Sequence, residues 1–305
     1  MLSTHHLLQR KLRPALWVMA LALAGCGTPR SHAPSIAAGD MDAAGWQQQL
    51  APAAHSPALP EILLLGEQHD APAHQQWEHD TVLALARQGK LAAVVLEMAD
   101  AGHNTRTLQA NPTESDVQAA LQWNTAGWPW ARYAPVVMAA VQADVPVYGG
   151  NLPRSAMRGA MQQTQWDIHL PAAAWERQRN AIRTGHCELL PESQITPMAR
   201  IQLAKDERMA HTAKALIAPG QTVLLIAGRG HVLRSVGIPT WVPPHVPVGV
   251  AVAQAEGAEP TLPSDRDWLI RTPAVAAPDH CEALRVQWQG GAPGSGAPKS
   301  TQQKP

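Results

Sequence analysis

Ile62-Leu-Leu-Leu-Gly-Glu-Gln-His69 is the stretch whose reading decides the fold. Its apolar run reads as a strand covered on both faces, and Gly66 is followed at once by two ionisable groups, Glu67 and His69. Three further runs repeat the pattern: Leu91–Leu96 ends on Glu97, Val145–Tyr148 runs into Gly149-Gly150-Asn151, and Thr222–Ala227 runs into Gly228-Arg229-Gly230-His231. Between the first two, Asp70 offers a helix cap and Pro72 stands in the first turn. Trp77, Val82, Leu83 and Leu85 then recur at near-helical spacing up to Gly89. A strand, a helix and a second apolar strand predict a parallel βαβ unit. The whole predicts an α/β fold with a mostly parallel sheet flanked by helices. Such sheets bind ligands outside the carboxyl ends of their strands, so Glu67, His69, Glu97, Asn151 and His231 are expected to share one crevice.

Outward from this frame, residues 101–143 read as helical, with a Thr113-Glu-Ser-Asp start signal and a break at Asn124–Pro129. Residues 153–195 read as helical again, and the two stretches together predict a smaller inserted helical lobe. A long helix is expected from Thr196 to about Ile217, closed by Pro219-Gly220. Val246–Ala253 is expected as a flanking strand and Arg285–Gln289 as a short edge.

Arg10, Lys11 and Arg13 precede an apolar stretch, Ala15 to Ala24, that ends in Leu23-Ala24-Gly25-Cys26. This resembles a bacterial lipoprotein signal over 1–25, with Cys26 acylated and the chain held to a bilayer by lipid alone. Gly27 rather than Asp after the cysteine favours the outer membrane of the cell envelope. Residues 26–58 read as a flexible tether, 59–289 as the folded domain, and 290–305 as a disordered tail. Cys187 and Cys281 remain, and in an exported protein either a disulfide or two buried thiols would suit them.

Basic and acidic residues balance at 24 each with no block of like charge, which argues against nucleic acid. The chain lacks His-Glu-x-x-His, Cys-x-x-Cys-His, a phosphate-binding Gly-x-x-x-x-Gly-Lys and a Gly-x-Ser-x-Gly elbow. Glu67, His69, Glu97 and His231 suit three chemistries: holding a divalent metal, general-base catalysis with an orienting carboxylate, or anchoring a polar ligand. The chain has eleven Trp, two Tyr and no Phe. Trp123, Trp128, Trp130 and Tyr133 crowd together as either the core of the helical lobe or a flat wall for a planar ligand. In the second case a Tyr133 phenolate would suit ferric iron.

Several segments resemble the ChaN-type haem-uptake lipoproteins of the Tiki, TraB and erythromycin-esterase superfamily. They are Ile62–His74, Val94–Met98, Gly127–Trp130 with Tyr133-Ala-Pro135, Pro146–Arg154, Lys205–Ala210 and Ala227–His231. The resemblance implies a haem-binding protein of iron uptake or storage, a tyrosine ligand to the iron, and two protomers pairing around stacked haems. It also implies delivery to an outer-membrane haem receptor. Of the two tyrosines it points to Tyr133. It places Asn151, Arg154, Asp206, Arg208, Trp128 and Trp130 near the cofactor. The superfamily's hydrolases and metalloproteases imply the alternative, a hydrolase with His69 as base, Glu67 orienting it, and Glu97 and His231 binding metal or substrate.

Overall fold

The computed structural model describes residues 39–51, 58–275, 281–282 and 284–286. Signal, Cys26 and tail lie outside them. The first half comprises β1 (Gly39–Asp42), α1 (Ala43–Leu50), β2 (Ile62–Glu67), α2 (Pro72–Arg87), β3 (Leu91–Asp100), α3 (Glu114–Leu121), α4 (Trp130–Gln142) and β4 (Val147–Asn151). The second comprises α5 (Arg154–Gln162), α6 (Ala172–Gly185), α7 (Glu192–Lys214), β5 (Thr222–Gly228), α8 (Arg229–Val232), β6 (Val248–Ala255) and β7 (Trp268–Thr272). The seven strands make one parallel sheet in the order β1-β7-β6-β2-β5-β3-β4.

Period-two alternation divides the strand side chains between two helical layers. Leu63, Leu65, Val94, Leu96, Leu224 and Ile226 pack with α1 to α4. Ile62, Leu64, Val95, Val223 and Leu225 pack with α7 and α8 on the opposite face. Helices α5 and α6 are built onto α7 through two small cores of their own, one around Trp166 and Leu203 and one around Ile182 and Ile195. The 101–143 helices therefore lie on one face of the sheet and the 153–185 helices on the other.

Four expectations change. Gly39–Leu50, within the stretch read as tether, forms β1 and α1. Trp46 anchors them, fully buried, edge-on against Trp77 and Trp268 with centroids 6.0 and 5.5 Å away. A composition rich in small residues hid that one anchor. Strand β6 is interior, because the unforeseen β7 pairs outside it. Asp70 does not cap α2; its carboxylate accepts from the Gln68 side chain, and Ala71 precedes Pro72 at the helix start. Arg285 and Val286 are helical, not an edge strand. The capping box on α3 stands as read, with the Asp116 amide donating to Thr113 Oγ1 at 3.2 Å. Cys187 and Cys281 form a disulfide across a sequence separation of 94.

Candidate functional site

The carboxyl edge of β2, β3 and β5 carries the expected cluster, and sheet parity sorts it. Glu67 shares a face with Leu65, so its carboxylate turns to α2 and α4. Its Oε1 meets His69 Nδ1 at 2.7 Å and accepts from the Tyr133 hydroxyl at 2.8 Å, while Gln75 donates to Oε2. Glu97 shares a face with Val95, so it turns to α7 and α8. Its Oε1 lies 3.3 Å from His231 Nε2 and 3.8 Å from Lys205 Nζ. Its Oε2 accepts the Gly228 amide at 2.8 Å. His231 Nδ1 is 2.6 Å from Asp206 Oδ1. The two halves join over the strand ends, where His69 Nε2 lies 3.7 Å from Glu97 Oε2. Two carboxylate–imidazole pairs thus stand on either side of Glu97, one from each helical layer.

Loop placement explains the precision. The Gln68 amide donates to His74 Nδ1 at 2.9 Å, and His74 Nε2 is 2.9 Å from Thr272 Oγ1. His74 is fully buried and pins the segment carrying His69. Burial lowers its pKa to about 4, so it stays neutral. Arg132 holds the same segment from α4 by donating to the His69 carbonyl at 2.7 Å. At Gly228 a side chain is excluded, because a Cβ would stand 2.8 Å from His69 Nε2. Asn151 acts indirectly, its amide donating to the Glu97 carbonyl at 2.8 Å.

Charge is matched inside this crevice. Burial disfavours the His231 cation, yet Glu97 and Asp206 outweigh it and lift its pKa to about 10. Burial likewise opposes charge on His69, but Glu67 and Glu97 raise it above its ordinary value. Glu97 is held well below the usual carboxylate range: burial opposes its charge, and His231, His69 and Lys205 overcome that. Asp206 is pushed up to about 6, chiefly by burial. Glu78, wholly buried in α2, is raised by burial and by the Glu67 charge and keeps its proton. The crevice has a volume of about 610 Å³ and is walled by Glu67, His69, Gly228, Arg229, His231 and Gln254.

Other expected residues fall elsewhere. Tyr133 has no exposed surface, and burial beside Glu67 raises its phenol far above the ordinary value. Its hydroxyl donates to Glu67, the arrangement of a neutral phenol. Trp130 is core and donates to Glu114 at 2.7 Å, whereas Trp128 is half-buried with its ring 4.7 Å from that of His69. Arg154 and Arg208 are exposed and line neither wall of the crevice; only Asp206 of the α7 pair reaches it. Among the described residues no group of three or more His, Cys, Asp and Glu is arranged to hold a metal ion. The carboxylate oxygens are already spent on imidazoles, amides and the tyrosine hydroxyl. Lys205, Gln75, His74 and Gly228 were not read as site residues. Lys205 opens the Lys205–Ala210 segment and Gln75 directly follows Ile62–His74, but only the turn of each helix aims them inward.

Comparison with known proteins follows the same frame. Residues 53–242 match the family described as haem-binding uptake, Tiki superfamily, ChaN. The chain belongs to the ChaN family. A solved structure of ChaN from Campylobacter jejuni, described for cofacial haem binding, superposes with a TM-score of 0.55 at 23% identity. The likeness covers 69% of this chain and 86% of that one, and it speaks to the fold. No curated protein matches. The ChaN-family match covers the crevice residues from Glu67 to His231 and ends before Gln254.

Proposed function

We propose that this chain binds haem in the cell envelope and stores it or passes it on for iron uptake, tethered to the outer membrane by lipid on Cys26. The observation that carries the reading is membership of the ChaN family across residues 53–242. Bound haem would supply the iron; the chain's own residues bind and orient the macrocycle. The open side of such a site suits a second copy stacked haem to haem, and transfer would be to an outer-membrane haem receptor. Trp128, half-buried beside His69, offers a flat apolar wall. Tyr133 is not the iron ligand in this reading, being committed to Glu67. Haemin titrated into the full chain is expected to develop a saturable Soret band at micromolar concentration. A spectrum that stays that of free haemin rejects the proposal. For the anchor, Cys26→Ser is expected to move the protein from the membrane pellet to the soluble fraction; unchanged sedimentation removes the lipid.

A second reading, a hydrolase, is favoured by the paired dyads Glu67–His69 and Asp206–His231. A catalytic base must be free of its proton at the working pH. With its pKa at about 10, His231 holds its proton at neutrality. Haem binding ranks first on the family match. Ester or peptide turnover that disappears in His69→Ala would reverse that order.

A further inference from the structure

A second cavity of about 280 Å³ lies between α6, α7 and the segment after α8. Gly230 and His231 line it and the crevice alike, which makes the two neighbours. Residues 177, 178, 181 and 182 recur at helical spacing, so one face of α6 is turned to it. That face brings Arg177 and Gln178, the turn after α6 adds His186, and α7 adds Gln202. Ile182, Leu233 and Val236 supply an apolar wall.

These polar groups, unlike those of the crevice, are largely unspent. Arg177 places Nη2 on Asp265 Oδ2 at 2.7 Å, and its Nε and Nη1 meet no protein group among the described residues. The side chains of Gln178 and Gln202 are half-buried and likewise meet none among those residues. His186 Nδ1 is 2.8 Å from the Ile182 carbonyl. A carbonyl only accepts, so Nδ1 carries the proton and Nε2 of the neutral ring presents a lone pair. Among the described residues no Asp or Glu lines the cavity, whereas Arg177 does. Half-buried polar groups without protein partners are completed by water or by a ligand.

We propose that this cavity binds the carboxylate end of an acylated amino acid, either a free N-acyl amino acid or the last residue of a peptide. The proposal goes beyond the haem reading and does not rest on it. The free N–H groups of Arg177 take the carboxylate. Gln178 and Gln202 each offer donors and an acceptor, which match the N–H and C=O of an amide. An aliphatic side chain packs on Ile182, Leu233 and Val236. Arg177 and His186 stand about two and a half turns apart along α6, so they serve opposite ends of the ligand, and His186 Nε2 accepts an N–H beyond the amide. The volume suits a ligand of about a dozen non-hydrogen atoms, at the small end of binding pockets.

The test is calorimetric titration of the full chain with N-acetyl-L-leucine, in the absence of haemin. Saturable binding is expected at roughly millimolar concentration or below. N-acetyl-L-leucinamide, which lacks the carboxylate, should bind at least about tenfold more weakly, and Arg177→Gln should cause a similar loss. Arg177→Gln also leaves buried Asp265 without its cation, so Gln202→Leu provides a second variant. Gln202 has no protein partner to lose, and its replacement should leave the melting temperature unchanged while weakening binding about threefold or more. N-acetyl-L-alanyl-L-leucine separates the two sources: tighter binding than N-acetyl-L-leucine assigns the cavity to peptide ends, and weaker binding assigns it to N-acyl amino acids. No binding of either compound at about 10 mM overturns the proposal. So does equal binding of acid and amide, or full affinity in Gln202→Leu. None of these outcomes bears on haemin binding, which the Soret titration decides separately.

Discussion

Replacing Glu97 with alanine is expected to lower the unfolding free energy by about 3–5 kcal/mol, because it strips the counter-charge from buried cations. His231 would keep only Asp206, and Lys205 and His69 would lose their carboxylate. Urea denaturation at neutral pH measures the loss. The pH dependence supplies a second readout. The folded pKa of His231, about 10, lies above its ordinary 6.5. Its contribution to stability is complete below pH 6.5 and is lost as pH rises through about 10. Glu97 is shifted downward, so its own contribution is present at neutrality and lost in acid. In Glu97→Ala the alkaline loss should flatten, since the His231 pKa falls toward its ordinary value. An isosteric Glu97→Gln, whose amide oxygen still accepts from Gly228, should fall between the two proteins. A Glu97→Ala protein within 1 kcal/mol of wild type would mean that this carboxylate does not hold the crevice together.

The second large effect concerns the disulfide. Cys187→Ser with Cys281→Ser removes a cross-link that closes a loop of sequence separation 94, and the expected cost is about 2–4 kcal/mol. Thermal unfolding with and without reductant checks it: reductant should lower the melting temperature of wild type and leave that of the double variant unchanged. Equal response of the two proteins would show that the bond does not stabilise the fold. The cross-link reaches from the turn after α6 to the C-terminal segment. Neither region has an extensive core of its own, and Ile182, Ile195 and Ala199 form the small cluster beneath that turn.

How much of this was legible depended on whether a residue's neighbours in sequence were also its neighbours in space. The strands β2, β3 and β5 were readable because each is an unbroken apolar run, the mark of burial on both faces. Glu67, His69, Glu97 and His231 were readable because they directly follow or end those runs. Their meeting follows from parallel pairing, which brings all carboxyl ends to one edge. Strand β7 and the pair β1–α1 were missed for the opposite reason. Each is four to eight residues long, and each is held by partners far away in sequence, Gly39 beside Trp268 and Trp46 against Trp77.

Residue types in order thus determined the α/β class, the edge that carries chemistry, and the four ionisable groups on it. The tertiary structure alone decided how those groups are spent. It turned Tyr133 from a prospective phenolate into a neutral donor, drew Lys205 and Gln75 inward, placed Arg154 and Arg208 outside, and joined Cys187 to Cys281. Each outcome depends on the direction of a side chain and on a partner contributed by a distant element. Local pattern carries the period of a strand or helix, but not which remote atom completes a hydrogen bond or neutralises a charge.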